Sequence, residues 1–316
     1  MSEYSAPLGD IAVRAPQRAD LSAVVDLINA ASLAEGGAPD MTPALVLADW
    51  EGPNFDLAAD AWLALDARGS VLGYETLFYT PGAAYAEIDG YVHPAHKGRG
   101  IGTRLLRLAE ARARALAGAA PPALHANIEA TNQAAQALFA AEGYRPVRHF
   151  WRMEILFEQP PAAPAWPAGM AVRAFVPGRD ERVTHAAIQE AFQDHWGFQP
   201  TPFDEWRQAQ IGRADFDPAL WFLAFDREEL AGVVLGFART DELGWVRNLG
   251  VRRPWRGRGV GMALLRQAFG AFYARGIRMA GLGVDAQNLS GATRLYERAG
   301  MRVAERYDTL EKVPSA

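Results

Sequence analysis

Apolar and polar positions along the chain follow two periods, and their order is the same in both halves. In the second half, Leu264, Leu265, Ala268, Phe269 and Phe272 fall at the three-and-four spacing of a single helix face. A short apolar run at 245–251 precedes it and reads as a strand. Along each copy the pattern predicts a strand (11–14; 171–173), then a helix (21–31; 182–192). Two further strands follow (61–65 with 71–79; 221–225 with 233–238), then the strand at 86–92 or 245–251. After the amphipathic helix come a strand (123–128; 279–284) and a last helix (133–142; 290–299). Gly143 and Gly300 follow that helix, as a left-handed cap requires. Asp20 and Asp180 stand where an N-cap would be useful. Strands alternating with helices in this way indicate an α/β sandwich in each half.

The repetition extends to individual residues. Lys97-Gly98-Arg99-Gly100-Ile101-Gly102 matches Arg256-Gly257-Arg258-Gly259-Val260-Gly261, with Gly98 and Gly257 separated by 159 positions. The same offset carries Val13-Arg14-Ala15 to Val172-Arg173-Ala174 and Trp62 to Trp221, and Asn132 corresponds to Asn288 after a drift to 156. A chain of 316 residues has room for two domains of this size. Pro160, Pro161, Pro164 and Pro167 mark an extended linker. The expected division is therefore a domain at 1–158, a linker at 159–169 and a homologous domain at 170–316, with residues 313–316 frayed. Both a monomer that is an internal pseudo-dimer and a homodimer fit.

Composition narrows the partners. A net charge of −5 argues against a nucleic-acid binder. The absence of cysteine excludes disulfides, thiolate metal sites and a cysteine nucleophile, and it suits a reducing compartment. No apolar stretch approaches the roughly 20 residues that span a bilayer, and residues 1–7 lack the features of a signal peptide. The expectation is a soluble, cytoplasmic protein with no membrane partner and no metal.

The repeated glycine segment carries the chemistry. Alternating glycines let backbone N–H groups approach a phosphate, and the helix that follows adds partial positive charge at its N-terminus. Arg256 and Arg258 add cationic donors suited to phosphate oxygens. A plain turn is the alternative for one copy, but two copies in matching context weigh against it. No glycine completes G-x-G-x-x-G, and the P-loop spacing also fails, so the nucleotide reading weakens to that of a different phosphate ligand.

Arg256-x-x-Gly259-x-Gly261 and Lys97-x-x-Gly100-x-Gly102 resemble the pyrophosphate-binding hallmark of the GCN5-related N-acetyltransferase (GNAT) superfamily. A second hallmark is similar too: Asn288, Ala292, Leu295-Tyr296 and Gly300-Met301, matched by Asn132, Ala135, Leu138-Phe139 and Gly143-Tyr144. The resemblance implies two tandem GNAT-like domains of α/β class, each with a mixed, mostly antiparallel central sheet flanked by helices. The strand before the cradle and the strand before the asparagine should splay apart to admit the pantetheine arm of acetyl-CoA. Cofactor contacts then fall to the two glycine segments, to Leu249 and Val251 with Asn288, and to Val92 with Asn132. Gly90 and Gly250 mark either a bulge or close packing.

The activity implied is acetyl transfer from acetyl-CoA to a primary amine of a small molecule. A backbone N–H around Leu249–Val251 would serve the oxyanion and Tyr296 the leaving thiolate, as catalytic acid. Phe139 occupies that slot in the first copy, so the C-terminal half is expected to be catalytic and the N-terminal half degenerate. Many relatives carry a carboxylate on the strand before the cradle. Glu87 and Asp89 lie there in the first copy, but Trp245, Val246, Arg247 and Asn248 lie there in the second. Asp285 and His195 are the substitute bases, beside water relays, and His195 titrates near neutrality. His93 and His96 flank the first cradle and belong to its turn or to phosphate contact. Trp196, Trp206, Trp221 and Trp245 form either acceptor walls or core.

The tandem layout is also similar to the mycothiol synthase type, which acetylates a cysteinyl amino-sugar, although Trp245 stands where that type carries a glutamate. Acetylation of a protein or peptide amine, and a non-catalytic acyl-CoA-binding role, stay open beside it.

Overall fold

In the computed structural model, residues 10–117, 121–213, 215–288 and 291–313 are described. Ser290, where the last predicted helix starts, and 314–316 of the expected frayed tail lie outside them. The chain forms two compact units, residues 1–149 with 306–316 and residues 150–305.

The first unit runs β1 (Ala12–Arg14), α1 (Leu21–Ala34), α2 (Pro43–Trp50), β2 (Ala61–Leu65), β3 (Val71–Phe78) and β4 (Tyr85–Val92). Helix α3 (Ile101–Ala117), β5 (Ala123–Glu129) and α4 (Gln133–Ala141) complete its first pass, and β6 (Arg145–Leu156) leads out of it. The second unit repeats the series as β7 (Met170–Ala174), α5 (Glu181–Phe192), α6 (Phe203–Ile211), β8 (Trp221–Asp226), β9 (Glu229–Ala238) and β10 (Leu243–Val251). Then come α7 (Val260–Ala274), β11 (Met279–Asp285), α8 (Ala292–Arg298) and β12 (Arg302–Lys312).

The sheet of the first unit has the order β1-β2-β3-β4-β5-β12, and that of the second β7-β8-β9-β10-β11-β6. The β4–β5 and β10–β11 pairs are parallel, and the other registers are antiparallel. Each sheet thus closes on a strand that follows the other copy in sequence. Phe150–Leu156 of β6 pairs with β11, and Tyr307–Lys312 of β12 pairs with β5. A division in chain order, 1–158 and 170–316, therefore separates each unit from its last strand. Residues 157–169, the proline-rich segment, hold no helix or strand.

The helix face read from periodicity is the core of the second unit: Leu264, Leu265, Ala268 and Phe272 are fully buried and Phe269 nearly so. Burying each of these leucines and phenylalanines stabilises by ~1.5–3 kcal/mol. Four elements lie outside the predicted series: α2, α6, β6 and β12. Helix α2 opens on Pro43 after Thr42, whose Oγ1 accepts from the Leu45 N–H at 3.3 Å. Strands β6 and β12 alternate polar and apolar residues too irregularly to be read from one face.

Two local expectations are corrected. Asp20 and Asp180 precede α1 and α5, but neither side chain caps its helix, because each is taken by an arginine. Arg14 donates to Asp20 at 2.7 and 2.8 Å, and Arg173 donates to Asp180 at 2.5 and 2.8 Å. These paired forks join the first strand of each unit to its first helix. The bulge in β10 falls between Val246 and Asn248, earlier than Gly250, and the β3–β4 register is regular through Gly90. Close packing explains both glycines. A Cβ at Gly250 would lie 3.1 Å from that of Ala191, and one at Gly90 would collide with the Glu75 carboxyl.

Among the described residues no helix is long and apolar enough to cross a membrane, and no group of three metal-ligating side chains occurs.

Candidate active site

The site in the second unit begins where β10 and β11 part. Their parallel pairing runs only from Leu243–Met279 to Trp245–Gly281, although β10 continues to Val251 and β11 to Asp285. Beyond Trp245 one edge of β10 stays paired to β9, while the edge toward β11 has no strand partner among the described residues. Backbone groups on such an edge demand hydrogen bonds. Trp245 closes the paired end: its ring packs against Gly281, where a Cβ would lie 2.7 Å from Cζ3. The guanidinium groups of Arg152 and Arg239 flank the ring at 5.2 and 4.9 Å from its centre. No acceptor-binding role is left for Trp206 and Trp221, which lie in the core at 4% exposure each.

The cradle follows β10. Gly257 and Gly259 have φ of +74° and +89°, and Gly98 and Gly100 of the first unit have +76° and +77°. This left-handed backbone is open to glycine and strained for other residues. Gly259 precedes α7, whose first turn leaves N–H groups unpaired within the helix, a ready anion site. The third glycine serves packing. A Cβ at Gly261 would lie 3.0 Å from Leu295 Cδ1, and one at Gly102 would lie 2.9 Å from Leu138 Cδ1. The glycine thus seats the helix that carries Tyr296 or Phe139 against the cradle. Val260 and Ile101, by contrast, are buried core residues at 1% exposure.

The residue in the first basic slot is bonded to the protein itself in both units. Arg256 donates Nε to the Val251 carbonyl and Nη2 to the Ala191 carbonyl, both at 3.1 Å, so it braces the cradle to β10 and α5. Lys97 pairs with Glu35 at the end of α1 and does the same in the first unit. Arg258 is exposed and makes no hydrogen bond or ion pair with another described residue. Arg99 Nη1 lies 2.9 Å from His96 Nδ1, and His93 Nδ1 accepts from the Ala95 N–H at 3.2 Å, so both histidines belong to the turn.

Tyr296 is 8% exposed, and its hydroxyl makes no hydrogen bond with a described residue. Burial pushes its pKa up to about 12, so it is a neutral donor at any working pH. In the first unit Phe139 packs edge-on against Tyr144 at 4.9 Å. Asn132 caps α4, its Oδ1 accepting from the Ala135 N–H at 2.9 Å, and Asn288 donates its own N–H to the Asp285 carbonyl at 3.1 Å.

His195 and Asp285 come within electrostatic range of each other. Burial lowers the pKa of His195, and Asp285 partly offsets that, so the imidazole is neutral near pH 7. Asp285 is buried, and its Oδ1 accepts from the Gln287 N–H at 2.9 Å, which fixes the turn after β11. Trp196 approaches Phe150, the register partner of Asp285 on β6, with ring centres 6.3 Å apart. The 193–197 loop therefore lies by the open end of the splay.

The first unit splays in the same way, since β4–β5 pairing ends at Ile88–Ala126 while β4 runs on to Val92. Asp89 is the next residue, and burial raises its pKa to about 7 although the Tyr91 hydroxyl donates to it at 3.1 Å. Glu75 is a further buried acid that motif reading missed. Setting β3 beside its counterpart at the repeat offset finds it, because the second copy has Val234 there.

Comparison with known proteins agrees with this geometry. The model of the acetyltransferase (GNAT) family matches residues 24–144 and again 185–301. The mycothiol acetyltransferase of Salinispora tropica is 33% identical over 91% of each chain. A GCN5-related N-acetyltransferase structure from Sphaerobacter thermophilus superposes with a TM-score of 0.80 at 40% identity, covering 97% of each chain. A tandem GNAT protein from the clavulanic acid biosynthesis pathway shares the fold, with a TM-score of 0.75 at 19% identity over 97% of this chain and 100% of that one. Two splayed sheets, two left-handed glycine cradles and two family matches have one explanation: the chain is a tandem member of the GNAT acetyltransferase family, acyltransferases that use acetyl-CoA.

Proposed function

We propose that the C-terminal unit acetylates a primary amine of a small molecule. One observation carries this reading: a buried tyrosine with an uncommitted hydroxyl, Tyr296, sits on the helix that packs against the cradle through Leu295 and Gly261. When bound, acetyl-CoA supplies an activated thioester. The amides of the 257–261 segment and the Arg258 guanidinium hold the diphosphate. The open edge of β10 at 249–251 orients the arm and offers an N–H to the thioester oxygen. His195, neutral at pH 7, accepts the proton of the incoming ammonium, with Asp285 nearby to stabilise the imidazolium. Tyr296 donates a hydrogen bond to the departing sulfur. Full proton transfer from a phenol at about 12 to a thiolate near 8.5 would cost about 5 kcal/mol, so the role is hydrogen-bond donation.

The N-terminal unit keeps its cradle but has Phe139 in the donor slot, which favours a binding role over turnover. A cysteinyl amino-sugar is the first acceptor to test, supported by the 33% identity to a mycothiol acetyltransferase. The experiment is thiol release from acetyl-CoA by the full chain with a panel of amines, cysteinyl amino-sugars and peptide N-termini included. Release with small amines and not with peptides is the expected result. Acetyl-CoA binding with no release for any amine would favour the acyl-CoA-binding alternative.

A further inference from the structure

Strand β3 reads Val-Leu-Gly-Tyr-Glu-Thr-Leu-Phe, and the charge in it is buried: Glu75 is 4% exposed. Its Oε1 has no hydrogen-bond partner among the described residues. The carboxyl lies over Gly90, its register partner on β4, where a Cβ would fall 2.2 Å from Oε2. Glycine at 90 is thus what makes room for the acid.

The position of the acid points to a ligand. Glu75 shares its face of β3 with Gly73, at which Ile101 and Leu105 of α3 make their close approach. That is the face of the helix leaving the cradle, whereas Asp89 points to the opposite one. Gly90 also lies beyond the last β4–β5 pair, in the stretch where β4 has an open edge. The equivalent pair in the second unit is Val234 with Leu249, in the same register and wholly apolar on the β9 side. The repeat has therefore exchanged a valine and a leucine for a glutamate and a glycine at one point of the splay. An unsatisfied buried carboxyl costs a fold stability that Val234 does not. A ligand that pairs with it would offset that cost.

We propose that Glu75 is a ligand-reading residue of the N-terminal unit, pairing with an amide of the pantetheine arm of a coenzyme A seated on the first cradle. The proposal rests on reading that cradle as a coenzyme A site. Burial, reinforced by Asp89, holds Glu75 well above the usual carboxylate range. A neutral carboxyl offers one donor and one acceptor, the complement of a secondary amide, and does not repel the phosphates. The two units then bind the same cofactor by different means: a side-chain contact in the first, and an apolar strand face with its backbone edge in the second.

The test is calorimetry of the full chain with coenzyme A and, separately, with ADP, which has the diphosphate and lacks the arm. Wild type should show two coenzyme A sites. Glu75→Val should weaken one of them about tenfold, and Glu75→Gln, which keeps a donor and an acceptor, should stay within about threefold. ADP affinity should be the same in all three proteins, and the melting temperature of Glu75→Val should be no lower than that of wild type. Two sites of unchanged affinity in Glu75→Val would overturn the role of Glu75 and leave the cradle reading intact. A single wild-type site that is insensitive to Gly100→Val would overturn the cradle reading, and the proposal with it.

Discussion

At the scale of single residues, burial sorts the candidate acids and bases by what they can do at neutral pH. Tyr296 stays protonated up to about pH 12, and His195 stays neutral down to below its ordinary value of 6.5. With His195 as the proposed base, the rate should have its acid limb below pH 6.5, where the imidazole gains a proton, and Tyr296 should contribute no alkaline limb in the working range. Replacing His195 with Gln should lower kcat/KM and remove that acid limb, which a pH–rate profile of both proteins would reveal. Tyr296→Phe should reduce kcat by roughly 10–100-fold, the worth of one hydrogen bond to developing charge, while leaving calorimetric acetyl-CoA affinity unchanged. Equal turnover in Tyr296→Phe would remove the proposed role. Tyr296 was legible in the sequence because a motif surrounds it. No motif surrounds Glu75: its mismatch with Val234 at the repeat offset marks the position, but one acid in an apolar strand gains its meaning only once its register partner is known to be a glycine.

At the scale of elements, the cradle is a short backbone form held by side chains that look from sequence like ligands. Glycine spacing pointed to a backbone cradle, but the direction of Arg256 depends on carbonyls of α5 and β10 that only the folded chain brings near. Arg256→Ala should accordingly lower both the melting temperature and acetyl-CoA affinity. Arg258→Ala should lower affinity alone, so thermal unfolding beside calorimetry separates the two. The first strand and helix of the second unit are joined by the Arg173–Asp180 fork, with Val176 N–H also donating to Asp180 at 2.8 Å. Burial alone would raise the Asp180 pKa, yet the hydrogen bonds from Arg173 and Arg179 hold it well below the usual range. A depressed folded value contributes stability that is fully present above the unfolded pKa near 3.9 and is lost as pH falls through the folded one. Asp180→Asn should cost ~2 kcal/mol at pH 7, and its difference from wild type should shrink steadily in denaturant melts below pH 4.

At the scale of the whole molecule, the repeat was legible and the exchange of closing strands was not. Residue matching at a fixed offset locates two copies, but it carries no information on which copy's sheet receives β6 or β12. Both strands are polar enough in sequence to escape notice, and register with β11 and β5 is a tertiary choice. The consequence is that neither half of the chain is a complete folding unit. Residues 1–158 alone leave β5 without β12 along Leu124–Glu129, and residues 170–316 leave β11 without β6 along Met279–Asp285. Each half would then expose a row of unpaired backbone groups and the flank of its core, a template for misassociation. Expressed separately, both halves should be poorly soluble or self-associated. Mixed and refolded together, they should yield a one-to-one complex with the melting behaviour of the intact chain, because every strand again has its partner. Cutting the intact protein within residues 159–169 should likewise leave the two pieces together on size exclusion. Separate halves that are monomeric, soluble and cooperatively folded would show that each copy can close on its own last strand.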